Sequence, residues 1–276
     1  MVRTRVELRA ALADLPRPLG LVPTMGWLHA GHRSLIQRSR ADNAATVMSL
    51  FVNPRQFNNP ADLAGYPRNE ARDLAIATEE DVDLVFAPSV EEVYPPGFET
   101  VVSVGALATV LEGAARPGHF DGVATVVAIL FNLVGADRAY FGQKDAQQFR
   151  VIERMARDLA IPTEVVSCPT IREPDGLALS SRNALLTPEQ RAAAPVVHRA
   201  LMAARTTYDR GERSAERLRD AMRETLTTVP LAAPEYVSVA DVDDLLELDA
   251  VDRQALLSMA VRFGSTRLID NEVIGG

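Results

Sequence analysis

The chain of 276 residues contains one cysteine, Cys168, one tryptophan, Trp27, four histidines and only 5% aromatic residues. A lone thiol excludes an intramolecular disulfide and suits a reducing, cytoplasmic setting. Long apolar runs are also lacking. The longest, residues 123–134, reads as a core helix too short to cross a bilayer, and no N-terminal stretch resembles a signal peptide. Nor is there a basic excess: 29 Lys and Arg stand against 37 Asp and Glu, a formal net charge of −8. That balance argues against a nucleic-acid partner, which needs a basic face. No carboxylate cluster marks a metal site, and neither internal repeats nor low-complexity segments occur.

What is present is a hydrophobic fraction of 47%, enough for a sizeable core, in a length that favours two domains. Strand-like segments at 19–22, 46–52, 83–87, 138–142 and 163–167 alternate with helix-like segments at 34–40, 70–78, 123–134 and 146–160. This alternation predicts an α/β fold, a Rossmann-like doubly wound parallel sheet. The character changes after Asn183. Thr187-Pro188-Glu189 is a helix start, and one helix over 188–209 and another over 214–228 are expected before strands at 235–240, 256–261 and 266–270. The expected division is therefore a Rossmann-like domain over 1–173 and a smaller α+β C-terminal domain over 174–276.

The most informative run is Pro23-Thr24-Met25-Gly26-Trp27-Leu28-His29-Ala30-Gly31-His32. It joins the first strand to the first sheet-covering helix. Two imidazoles three residues apart share one side of that helix start, where outward N–H groups favour phosphate. Gly31 leaves room for a ligand to approach the main chain. Alone, this H-x-G-H spacing fits equally well two solvated helix-start residues or half of a metal site. Two later segments change the balance. Phe141-Gly142-Gln143-Lys144-Asp145 sets a lysine just after a strand, and Leu179-Ser180-Ser181-Arg182-Asn183 adds two hydroxyls and an arginine. Parallel sheets bind ligands at the carboxyl ends of their strands, where His29, Asn53, Gln56, Gly142 and Lys144 all fall. Histidines, lysine and Ser-Ser-Arg in this order describe a nucleoside-triphosphate site.

These motifs, with Phe51-Val52-Asn53-Pro54-Arg55-Gln56-Phe57, Tyr66-Pro67-Arg68, Leu111-Glu112-Gly113, Gln147-Gln148 and Thr266-Arg267-Leu268-Ile269-Asp270-Asn271, resemble those of the pantothenate synthetases, or pantoate–β-alanine ligases. That family belongs to a nucleotidyltransferase superfamily related to class I aminoacyl-tRNA synthetases. The likeness runs from about Leu19 to the C-terminus. It departs at Gln143, where some relatives carry glutamate.

The resemblance implies ATP-dependent condensation of (R)-pantoate with β-alanine, giving pantothenate, AMP and pyrophosphate through a pantoyl adenylate. It makes 1–173 the nucleotide- and pantoate-binding domain and sets 174–276 over the ATP site. It implies ATP as substrate with Mg2+ and a cytoplasmic homodimer with neither nucleic-acid nor membrane partners. His32, His29, Lys144 and Arg182 become the catalytic candidates, His32 foremost, with a purely capping role weighing more on His29. The ATP-binding set is Met25, Gly26, Trp27, Leu28, His29, Ala30, Gly31, His32, Gly142, Gln143, Lys144, Asp145, Ile171, Leu179, Ser180, Ser181 and Arg182. Trp27 and Leu28 fit core packing equally well, and Lys144 has the alternative of a solvated pair with Asp145. Gln56 and Gln148 are matched to pantoate and β-alanine, with Asn53, Phe57 and Tyr66 as candidate walls. No metal ligand is identified; Asp73 is the one acidic residue considered near this pocket. Residues 58–65 read as a polar lid, and His119, His198 and Cys168 as structural. The rival readings are AMP transfer to a phosphate-bearing acceptor, tRNA charging, and a nucleotide-sensing module without catalysis.

Overall fold

The computed structural model describes residues 1–275. The chain divides into two compact units, one formed by 1–143 with 147–169 and the other by 144–146 with 170–276.

The first unit is built on a five-stranded parallel sheet in the order β3-β2-β1-β4-β5. Its strands are β1 (Leu19–Thr24), β2 (Ala45–Leu50), β3 (Leu84–Phe86), β4 (Arg138–Gly142) and β5 (Glu164–Cys168). The chain begins with α1 (Arg5–Leu12), closed by a Thr4–Glu7 capping box. The helices α2 (Ala30–Asp42), α4 (Glu70–Glu79), α7 (His119–Val134) and α8 (Ala146–Asp158) alternate with the strands, and the short α3 (Pro60–Gly65), α5 (Val90–Val93) and α6 (Leu111–Ala115) sit in the connections. Strand order reverses beside β1, which pairs on one side with β2 and on the other with β4, reached by the crossover from β3. Crossovers at such a point leave a crevice above the strand ends.

Burial explains the two-sided coverage. β1 and β2 are apolar almost throughout, as strands buried on both faces must be. Val22, Leu28, Ile36, Met48 and Tyr140 join one core cluster around them. α7 is buried over most of its length, and its contact with the chain after β2 is unusually close. A Cβ on Gly122 would lie 2.3 Å from the Arg55 carbonyl oxygen. Only glycine permits that approach, and the result is a 3-10 turn, Pro54–Gln56, seated directly on the helix.

The second unit holds a three-stranded antiparallel sheet, β6 (Ala233–Asp241), β7 (Ala255–Phe263) and β8 (Thr266–Ile274), covered by α10 (Val196–Asp209) and α11 (Ala215–Thr227). Alternate residues Ala255, Leu257, Met259, Val261 and Phe263 of β7 face these helices.

One local expectation needs correction. The single helix expected over 188–209 is two: α9 (Pro188–Ala193) ends before Pro195, and α10 begins after it. Pro195 has no N–H to continue the ladder, so the helix breaks there although Ala194 and Pro195 both keep right-handed helical backbone. Residues 58–65, read as a polar lid, contain α3, which carries Asn59 as N-cap and Pro60 in its first turn.

Cys168 closes β5 in a buried position, and burial raises its thiol pKa. A water-soluble thiol reagent at about pH 8 should leave the folded protein unmodified and titrate one thiol after denaturation. Rapid reaction of the native protein would contradict the burial described here.

Candidate active site

The crossover from β1 to α2 is a strained turn held from below. Gly26 adopts φ +85° and Trp27 φ +53°, a left-handed conformation that a bulky residue rarely takes. Asp73, on α4 and 1% exposed, supplies the restraint. One carboxylate oxygen accepts the Trp27 N–H at 2.9 Å and the other accepts the Leu28 N–H at 2.8 Å. Its neighbour Arg72 donates to the Leu28 carbonyl at 2.8 Å and lies over the Trp27 ring. Leu28 itself is 0% exposed, so its side chain and both its main-chain groups are engaged inside the protein. It supports the loop from beneath. Asp73, with both oxygens engaged, serves as the clamp of this turn, a role different from the metal ligand considered for it.

Directly after the clamp, His29 is the N-cap of α2. Its Nδ1 accepts the Gly31 N–H at 3.1 Å, while the Nδ1 of His32 accepts the His29 N–H at 3.3 Å. The two rings form a reciprocal capping box with centroids 4.1 Å apart. A backbone N–H can bond only to an unprotonated ring nitrogen, so each neutral imidazole carries its proton on Nε2. Capping and ligand recognition are thus compatible roles: Nδ1 is fixed to the main chain and Nε2–H is the donor end.

The chain after β2 presents a buried polar cluster. Asn53 is 1% exposed. Its Oδ1 accepts from the Tyr94 hydroxyl at 2.7 Å and from the Arg55 N–H, and its Nδ2 donates to Gln56 Oε1 and the Gly122 carbonyl, both at 3.0 Å. The Gln56 carbonyl accepts from Arg116 and from His119 Nδ1 at 2.7 Å. Burial raises the Tyr94 hydroxyl to about 12, so it stays protonated and donates. Phe57 and Tyr66 meet edge to face nearby in the chain.

Beyond β4, Gln143 Oε1 accepts from Ser167 at 2.9 Å. The adjacent glutamines of α8 diverge. Gln147 is consumed internally, accepting from Glu112 N–H and donating to the Leu107 and Val110 carbonyls, whereas Gln148 is half-buried.

In the second unit, Lys144 is 17% exposed at its side chain, 3.5 Å from Asp145, and its carbonyl accepts from Asn271 at 2.8 Å. It is paired with Asp145, as its alternative reading had it, yet largely shielded. Ile171 and Leu179 face each other in a short hairpin through the Leu179 N–H. Arg172 pins that hairpin to β8 by a bidentate bond to Asp270 at 2.5 and 3.0 Å. Ser180 caps a 3-10 turn, Ser181–Leu185, in which Arg182 is exposed.

Asp73, Arg72, Tyr94 and Asn271 are invisible in the sequence as partners of these segments, because each acts across a long sequence separation. One further signal does lie in the sequence: Lys144 is the only lysine, every other one of the 29 basic residues being arginine. Its ammonium is a compact point charge, unlike the planar guanidinium of the arginines.

The family model described as pantoate-beta-alanine ligase matches residues 1–273. This chain belongs to that family. A pantothenate synthetase of Chloroflexus aggregans is 60% identical over 98% of both chains, and one of Roseiflexus castenholzii is 56% identical over 99% of both. The crystal structure of pantothenate synthetase from Thermus thermophilus superposes with a TM-score of 0.94 at 50% identity, covering 98% of each chain. A Francisella tularensis pantoate-beta-alanine ligase, complexed with beta-gamma ATP and beta-alanine, is 34% identical with a TM-score of 0.81 over 99% of this chain and 96% of its own. The fold class expected from the sequence is that of these ligases, and the chain is an enzyme of their kind.

Replacing Asp73 by asparagine removes a charge-assisted acceptor and turns an NH2 group toward one of two N–H donors. Urea denaturation should register a loss of about 1–3 kcal/mol. A change within experimental error would show that the Trp27 turn holds itself.

Proposed function

We propose that this enzyme condenses (R)-pantoate with β-alanine through a pantoyl adenylate, using ATP and releasing pyrophosphate and AMP. The observation that carries the reading is the histidine pair at the α2 N-terminus, both Nδ1 atoms tied to the main chain, within a chain that matches its family model almost end to end.

In the first step a pantoate carboxylate oxygen attacks the α-phosphorus of ATP. The new P–O bond forms as the bond to pyrophosphate breaks. Neither protein nucleophile nor redox group is required; negative charge growing on the phosphate oxygens must be met by donors already in place. His32 and His29 supply Nε2–H donors, and the main chain of Met25, Gly26, Trp27, Ala30, Gly31, Gly142 and Gln143 lines the nucleotide, with Leu28 supporting it. Lys144 and Arg182 supply cations, Ser180 and Ser181 hydroxyl donors, and Asp145, Ile171 and Leu179 ribose or adenine contacts. Gln56 and Gln148 bind pantoate. In the second step the amine of β-alanine attacks the acyl carbon, AMP departs, and the amine loses a proton as the amide forms.

Mg2+ is expected with ATP. Among the described residues no group of three His, Cys, Asp or Glu side chains is placed to hold a metal ion. The donor set therefore suits an ion carried by phosphate oxygens and water rather than by the protein, and no step above is routed through it. A homodimer and a cytoplasmic location rest on the family likeness alone; light scattering measures the first.

The decisive assay supplies ATP, Mg2+, pantoate and β-alanine. AMP and pantothenate should appear together, each dependent on both acids. Release of ADP and phosphate instead would require an acyl phosphate and overturn the adenylate route.

His32→Ala and Lys144→Ala separate the steps. Each donor to the reacting phosphate is worth roughly 2.7–4 kcal/mol, or about 100- to 1000-fold. Adenylate formation should fall by that factor, while synthetic pantoyl adenylate and β-alanine should react at near-parental rates. Folded variants equally impaired with the adenylate would place these side chains elsewhere in the cycle.

A further inference from the structure

Gln56 has an amide whose two ends differ in what they recognise, and the atoms around it decide which end faces outward. The Gly122 carbonyl can only accept. The Asn53 atom 3.0 Å from it must therefore be the NH2 group. The other end of Asn53 independently faces two donors, the Arg55 N–H at 3.2 Å and the Tyr94 hydroxyl at 2.7 Å, as its oxygen should. With Asn53 so fixed, its NH2 group points its second hydrogen at Gln56, 3.0 Å away. The atom of Gln56 that receives it is oxygen. The Gln56 NH2 group is the end left over.

We propose that Tyr94 is a positioning residue which, through Asn53, locks Gln56 with its NH2 group toward the substrate, so that this group reads a hydrogen-bond acceptor on pantoate. The proposal rests on the reading that Gln56 binds pantoate. It commits the Gln56 NH2 group to an acceptor oxygen of the acid, in its carboxylate or a hydroxyl.

The main chain of Gln56 is held with equal care. Its carbonyl accepts from His119 Nδ1 and Arg116, and its N–H lies against Gly122, where a Cβ would come within 2.8 Å. Backbone, side-chain oxygen and relay are all anchored to α7 and to the segment carrying Tyr94. Tyr94 also packs edge to face on Phe98, with Arg55 over its ring. Phenylalanine keeps those ring contacts and deletes only the hydroxyl.

The test is a double-mutant cycle read in the steady state, with pantoate and ATP varied separately. Tyr94→Phe should raise KM for pantoate about three- to tenfold, the size of one buried hydrogen bond, and leave KM for ATP within about twofold. In a Gln56→Ala background the same Tyr94→Phe change should move neither constant, since the group it positions is gone. Gln56→Glu supplies the polarity readout. It keeps the shape but turns an acceptor oxygen to the substrate, so its kcat/KM for pantoate should fall below that of Gln56→Ala. Circular dichroism and melting temperature report whether each variant is folded. An equal Tyr94→Phe effect in both backgrounds, or a Gln56→Glu enzyme as good as Gln56→Ala, overturns the proposal while the ligase reading stands. A parent protein that makes no pantothenate overturns that reading and this proposal with it.

Discussion

The Asp73 carboxylate under the Trp27 turn is the contact on which the geometry of the first unit's site most depends. A left-handed tryptophan between a strand and a helix is a costly conformation, of order 1–3 kcal/mol, and persists only if its surroundings fix it. Two N–H bonds to one buried carboxylate, with Arg72 closing the other side, meet that requirement. The turn is what lets the chain leave β1 and arrive at α2 with His29 already in its capping position. The clamp thus acts on the two residues immediately before His29, the N-cap of α2.

The same device recurs through the candidate residues: polar side chains are oriented by main-chain groups, which cannot reverse their roles. Gly31 N–H fixes the His29 ring, His29 N–H fixes the His32 ring, and the Gly122 carbonyl fixes the Asn53 amide. Asn271 grips the carbonyl of Lys144 itself. Carbonyls and N–H groups hold their polarity at every pH, unlike titrating partners, so donor direction is written into the fold. A reaction that demands preset donors rather than a nucleophile is served by such an arrangement.

Much of this was legible in the sequence because period and punctuation are local. The run 138–142 reads as a strand and is β4 without adjustment, and Thr187-Pro188 starts a helix where its cap chemistry says it should. The failure is local too in origin: Pro195 interrupts a pattern that remains helical on both sides. The segments bearing His29, Gln56 and Lys144 stood out because strand ends concentrate ligands in parallel sheets. Their partners did not. Asp73 meets Trp27 across 46 positions and Tyr94 meets Asn53 across 41, and nothing in a linear pattern announces a carboxylate reserved for a distant backbone. Adjacent Gln147 and Gln148 make the point sharply, since only packing tells which of two identical side chains is spent inside the protein.

The solitary lysine has a consequence for handling the protein. Arginine guanidinium does not react with ordinary acylating or reductive-alkylation reagents under mild conditions, because it stays protonated. With Lys144 as the only side-chain amine, and that one largely shielded beyond β4, the exterior offers such reagents no lysine target. Crosslinkers and surface-coupling chemistries built for lysine-rich proteins would find on this one a single side chain, and it is the one proposed to meet the triphosphate. Apart from the α-amino group of the chain terminus, amine chemistry has only this shielded side chain to reach.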